Sequence, residues 1–222
     1  MRIFFIPGLG EEVSIFDRIQ SFISGEKVFI DNWTLLADVP EKKLSVLVYA
    51  QYLTELFCIK KEDVVIGHSM GGWIAWHIKH LGGCRIIQIA SWTDSSKLIK
   101  VPIERHLMYG LAKRGCGFNP LVLHLIVWLN YKNRRSKEIF ISIFERLRRG
   151  NKEIVAKQLM VIFSPIKEPI TVTPDFRIHS KGVPIVKFPD QTFYEVPGDH
   201  FTLYTYPETV YKPIVEFLKR QE

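Results

Sequence analysis

Gly67-His68-Ser69-Met70-Gly71-Gly72 is the stretch that most constrains what this chain can become. It follows Asp63-Val64-Val65-Ile66, a short apolar run that reads as a buried strand. It precedes Trp73 to Leu81, which reads as a helix closed by Gly82-Gly83. Strand, G-x-S-x-G, helix is the layout of a nucleophile elbow. The serine sits on a sharp turn with strained backbone, so the residues two before and two after it must be small. The following helix points its positive end at the serine. The amide of Met70 is then placed to hydrogen-bond an oxyanion.

The rest of the chain supplies the context such a turn needs. Arg2 to Ile6 reads as a strand running into Pro7-Gly8-Leu9-Gly10. Val13, Ile15, Phe16, Ile19, Phe22 and Ile23 fall on one face at helical spacing. Lys27 to Ile30 is a second strand. Leu44, Val48, Tyr52 and Leu56 mark a helix over 44–57, and Arg85 to Ala90 is a fourth strand ending at Ser91-Trp92-Thr93-Asp94. The alternation then stops. Lys97 to Phe163 reads as about four helices, broken near Gly115-Cys116-Gly117, at Asn119-Pro120 and at Gly150-Asn151. Strands resume at 176–179 and 192–196. A last helix runs to Arg220 from Pro207 or Tyr211, with Pro213 arguing for a late regular start.

Strands alternating with helices predict an α/β fold. The sheet should be mostly parallel, of about six strands, flanked by helices and carrying an all-helical cap after the fourth strand. The core is then 1–94 and 165–222, and the cap 95–164. Ligands bind such sheets at the carboxyl ends of the strands. Pro7 to Gly10, Asp31, Ser69, Trp92 to Asp94, Ser180-Lys181 and His200 gather at that edge, with the cap above it.

Composition narrows the classes. The chain has 222 residues, enough for one large domain, with no repeat or low-complexity segment. Cys58, Cys84 and Cys116 are far apart and odd in number, which predicts free thiols in a reducing, cytoplasmic setting. The apolar run after Met1-Arg2 stops at Pro7, too short for a signal peptide. No stretch approaches the ~20 apolar residues of a membrane span. Net charge is +7, and it is uneven: 95–168 holds 15 basic and 5 acidic residues. Lys132, Arg134, Arg135, Lys137, Arg146, Arg148, Arg149 and Lys152 alternate with Trp128, Tyr131, Phe140, Phe144 and Phe163. Solvated helix faces over an apolar underside account for this. Attraction to an anionic ligand or an anionic membrane surface is the sharper alternative. No nucleic-acid module, metal-ligand spacing or P-loop occurs. In Gly8-Leu9-Gly10 the third glycine of a dinucleotide fingerprint is replaced by Val13. No cofactor is expected.

The elbow, the glycine turn Pro7-Gly8-Leu9-Gly10 and Gly198-Asp199-His200-Phe201 after the last strand together resemble the α/β-hydrolase superfamily, most of all its small bacterial esterase-like members. The resemblance spans essentially the whole chain. It implies a serine hydrolase acting on a small ester or thioester through an acyl-enzyme. In that reading Ser69 is the nucleophile and His200 the general base. The amides of Leu9 and Met70 form the oxyanion hole, and Gly8, His68 and Trp92 lie against the substrate. A ligand-binding protein on the same fold, or a carbon–carbon hydrolase or lyase, stays open.

The acid departs from the pattern. The segment that usually carries it reads here Ile178-His179-Ser180-Lys181-Gly182-Val183-Pro184-Ile185-Val186, with Val183 at the acid position. Asp94, after the fourth strand, is the foremost replacement. Asp190 precedes the last strand and is expected at the opposite edge of the sheet. Asp199, or no acid at all, completes the alternatives.

Overall fold

The computed structural model describes residues 1–98, 104–116, 119–166, 168–183 and 185–220. Among the described residues six strands form one sheet: β1 (Arg2–Ile6), β2 (Glu26–Phe29), β3 (Val64–His68), β4 (Arg85–Ile89), β5 (Phe176–Gly182) and β6 (Tyr194–Asp199). Their order is β2-β1-β3-β4-β5-β6 and every pairing is parallel. Register runs straight through the core, with Phe5 beside Ile66 and Ile66 beside Ile87.

The strands are apolar on both faces because helices cover both. The single-turn helices are α1 (Asn32–Leu35) and α8 (Thr202–Thr205). Phe4, Ile6 and Val65 point into a core with α2 (Val46–Leu56) and α3 (Met70–Gly82), through Tyr49, Leu53, Trp73 and Ile74. Ile3, Phe5, Val64 and Ile66 point the other way, onto Phe16, Ile19, Val210 and Ile214. Each such side chain, fully buried, contributes about 1.5–3 kcal/mol.

The chain grows outward from β1 in two directions, to β2 on one side and β3 on the other. That reversal opens a crevice beyond the carboxyl ends of β1 and β3. Pro7 to Gly10 and Ser69 border it.

Two local expectations are corrected. Residues 13–23 form two short 3-10 turns, Val13–Phe16 and Gln20–Phe22, rather than one helix. The backbone leaves helical geometry at Ile19, with φ −122° and ψ −31°, and this separates the two turns. The buried face survives as Ile15, Phe16, Ile19 and Ile23, while Phe22 is exposed and stacks on Tyr211 at 4.0 Å. The last helix, α9 (Pro207–Lys219), starts early and runs through Pro213. Pro207 opens its first turn, and Val210, Pro213, Ile214 and Leu218 anchor it on the sheet. Packing of that face outweighs the lost hydrogen bond.

Between β4 and β5 lie α4 (Arg105–Lys113), α5 (Pro120–Asn130), α6 (Arg134–Arg149) and α7 (Lys152–Ile162). Residues 99–103 and 117–118 of the expected helical segment lie outside the described residues. Asn133 and Asn151 cap α6 and α7. Among the described residues no helix is long and apolar enough to cross a membrane.

Candidate active site

Ser69 follows β3 and precedes α3, at φ +52° and ψ −119°, a conformation costly for any residue with a Cβ. Its surroundings over-determine that turn. Ser69 N–H donates to Ile89 O at 3.0 Å, and Ser69 O accepts from Ser91 Oγ at 2.7 Å and from Gly72 N at 3.0 Å. The glycines are there for space. A Cβ on Gly71 would lie 1.8 Å from Ile6 O, and one on Gly67 2.3 Å from the Gly71 backbone. Helix and strand backbones touch here, and only hydrogen fits between them.

Gly8 sits against the serine from the β1 side: a Cβ on it would lie 2.9 Å from Ser69 Cβ. The amides of this turn are partly committed. Gly8 N–H donates to Glu11 Oε2 at 2.6 Å, and Gly10 N–H to Gln158 Oε1 of α7 at 2.8 Å. The Leu9 amide between them makes no hydrogen bond among the described residues. Met70 opens α3, where an amide has no intrahelical partner.

His68 and His200 meet behind the serine, with ring centroids 4.8 Å apart. His68 is fully buried. Its Nδ1 faces Glu11 Oε2 at 2.8 Å and its Nε2 faces the His200 carbonyl oxygen at 2.8 Å. With both neighbours as acceptors, the geometry suits a ring that donates from both nitrogens. Burial opposes the charge of such a ring, but the Glu11 carboxylate overcomes it and raises the His68 pKa above 6.5. Sequence reading missed Glu11. Nothing local distinguishes it from Glu12, whose side chain is 55% exposed and pairs with Arg146.

His200 is neutral. Burial first, then repulsion from His68 and from His179 where that ring protonates, hold its pKa well below 6.5. Its Nδ1 is buried and has no hydrogen-bond partner among the described residues.

Among the described residues no carboxylate hydrogen-bonds His200, and Asp94, expected there, bonds elsewhere. Asp94 is exposed and caps the short 3-10 turn Ser95–Lys97, accepting from Ser96 N at 2.8 Å and Ser96 Oγ at 2.6 Å. A loop aspartate followed by serines satisfies itself locally. Asp190 is also not where topology predicted. The loop from β5 to β6 folds back, so Asp190 pairs with Lys97 at 2.5 Å and lines one cavity with Asp94 and Trp92. It is therefore on the same side as Asp94, and 82% exposed. Asp199 turns toward the cap, accepting from Ser136 Oγ of α6 at 2.9 Å and Phe201 N at 3.0 Å. Val183 packs against the apolar core. Trp92 is buried and stacks on Trp73 at 6.0 Å.

The helical insertion closes on this site. Arg146 donates to Gly10 O at 2.9 Å, Leu147 and Ile143 crowd the Gly10 Cα, and Tyr131 stacks on Phe201 at 5.5 Å. Ser69 and His200 are 6% and 3% exposed as a result.

Glu11, His68 and His200 each bring a ligand-type atom within 4.8 Å of the other two. The short contacts of Glu11 and His68 are explained by their ion pair. The trio needs no metal to account for its geometry.

A parallel sheet in this order, a strained serine between β3 and its helix, and a histidine directly after β6 decide the architecture. This is an α/β-hydrolase fold. Solved structures agree over nearly the full length. The enol-lactonase from Burkholderia xenovorans LB400 superposes with a TM-score of 0.72 at 14% identity, over 98% of this chain and 91% of that one. A thermophilic esterase from Thermogutta terrifontis gives 0.70 at 13% identity, over 99% and 90%. The RedJ thioesterase of the prodiginine pathway in Streptomyces coelicolor gives 0.64 at 14%, over 98% and 90%. No protein-family model matches the sequence, and no curated protein is significantly similar to it. In this chain the serine has a buried Glu11–His68 pair beside it.

Proposed function

We propose that the chain is a serine hydrolase that cleaves a small carboxylic ester or thioester through an acyl-enzyme. The observation that carries this reading is the strained Ser69 backbone. The turn holds a serine where glycine would be less strained, and it presents a hydroxyl. In the reaction Ser69 Oγ attacks the carbonyl carbon while His200 takes its proton. The amides of Met70 and Leu9 hold the resulting oxyanion. His200 returns the proton to the leaving alcohol or thiol as the bond to it breaks. Water then repeats the sequence on the acyl-Ser69 ester and releases the acid. The esterase and thioesterase among the structures of the same fold support this reaction class.

With no acid on His200 among the described residues, the rate is expected to be low. Without a carboxylate on Nδ1 the imidazolium formed in the transition state is less stabilised, at a cost of up to roughly 10⁴-fold in turnover. The unpartnered Nδ1 also favours a second reading, a ligand-binding protein on the hydrolase fold that has lost turnover. A fluorophosphonate probe separates the two. Labelling of the wild type at Ser69, absent in Ser69→Ala along with p-nitrophenyl acetate hydrolysis, supports the hydrolase. A folded wild type that does not label, or hydrolysis that survives in Ser69→Ala, overturns it.

A further inference from the structure

Among the described residues, the outer face of α5 groups the most exposed large apolar side chains. The helix, Pro-Leu-Val-Leu-His-Leu-Ile-Val-Trp-Leu-Asn, carries no Lys, Arg, Asp or Glu. Leu123 is buried and Ile126 and Val127 are half-buried, so one face meets the protein. Leu125, Trp128 and Leu129, spaced three and four apart, form the opposite face. They are 56%, 75% and 62% exposed. Large apolar residues clustered at this exposure are uncommon on a soluble surface.

Charge says what the face is for. From Asn119 to Lys137 the sequence holds Lys132, Arg134, Arg135 and Lys137 and no acidic residue. Lys132, Arg134 and Arg135 are exposed and follow directly on the apolar helix. Arg134 is 91% exposed, and its partner Glu138 is itself largely exposed. A protein partner would need a matching apolar pocket ringed by acids. A bilayer with anionic headgroups offers both elements without further design: an acyl boundary for Trp and Leu, and phosphates for the cations.

We infer that the exposed face of α5 docks the protein on anionic phospholipid bilayers, with Leu125, Trp128 and Leu129 inserted at the headgroup boundary and Lys132, Arg134 and Arg135 on the phosphates. The site neither spans the membrane nor touches Ser69, and the inference does not depend on the hydrolase reading.

Vesicle co-sedimentation of the full chain tests it. Phosphatidylcholine vesicles containing phosphatidylglycerol should bind the protein at low salt at least roughly tenfold more tightly than pure phosphatidylcholine, and high salt should weaken that binding. Trp128→Ser with Leu129→Ser should weaken it by roughly tenfold or more, as should Lys132→Glu with Arg135→Glu. Leu56→Ser, a comparably exposed leucine on α2, should leave it unchanged. Far-UV circular dichroism confirms that the exposed substitutions keep the fold. Absence of binding to anionic vesicles at low salt overturns the inference. So does binding that the Trp128/Leu129 variant retains in full. Self-association that this variant abolishes, without vesicle binding by the wild type, would instead assign the face to a second copy and overturn it as well.

Discussion

Glu11 and His68 form a buried ion pair one residue from the candidate nucleophile, with Glu11 Oε2 2.8 Å from His68 Nδ1. The same carboxylate oxygen holds the Gly8 amide, so the pair ties the turn after β1 to the end of β3. Removing one partner of a buried pair strands the other. Glu11→Gln keeps the shape and loses the charge, and is expected to cost about 3–5 kcal/mol in urea unfolding. The pH dependence identifies the cause. The His68 pKa is raised in the fold, so its stabilisation is fully present below pH 6.5 and is lost as pH rises through the folded value. Glu11→Gln should remove that loss. A variant as stable as the wild type at pH 6 would contradict the charged pair.

The strain at Ser69 should be measurable. Its φ of +52° suits glycine better than serine. Ser69→Gly is expected to stabilise the fold by about 1 kcal/mol while abolishing any probe labelling. Thermal and urea unfolding beside the labelling assay check both. Destabilisation would mean that the side chain contributes to the fold, contrary to the backbone argument.

Glycine substitutions should divide sharply by position within one helix. Gly71→Ala places a Cβ 1.8 Å from Ile6 O, between two backbones that cannot separate, and is expected to cost more than about 4 kcal/mol. Gly82→Ala meets nothing closer than 4.0 Å and should be neutral, or stabilising by up to about 1 kcal/mol. Expression level and urea midpoints for the two variants decide it.

Buried neutral histidines should make the protein acid-labile. Burial lowers the pKa of His77 on α3 and of His179 on β5 to about 4. Groups depressed in the fold contribute stability present above pH 6.5 and lost as pH falls toward 4. From pH 7 to 5 each is expected to remove about 2 kcal/mol. His77→Gln should lower the starting stability but flatten this decline by about one proton. An unchanged slope would show that His77 is not neutral in the native state.

The activity profile follows from the same physics at His200. With its pKa held well below 6.5 by burial, His68 and His179, the base stays neutral into mildly acidic solution. On the hydrolase reading, kcat/KM for a neutral ester should be level through pH 6.5 and fall only below it. A midpoint above 7 would mean that a carboxylate reaches His200 in solution.

Much of this molecule was legible before its structure. The alternation of apolar runs and amphipathic segments set six strands and an insertion of four helices, because each period can bury only one kind of surface. G-x-S-x-G placed Ser69 between strand and helix, because no larger residues allow the two backbones to touch. Gly198-Asp199-His200 after the last strand put His200 at the same edge. The periodicity at 13–23 gave the right buried residues but the wrong element, since burial needs only the face and a helix needs unbroken helical backbone. The electrostatics were decided elsewhere. Asp94 and Asp199 each had a place in the chain order for orienting His200, yet one bonds Ser96 and the other Ser136. Glu11 and Glu12 are neighbours of the same type; one is buried on His68 and the other meets Arg146 at the surface. Apolar periodicity is a local property, repeated many times over a segment, so sequence alone carries it. A carboxylate's partner is a single contact across 57 residues for Glu11 and 63 for Asp199, and only the packed tertiary structure chooses it.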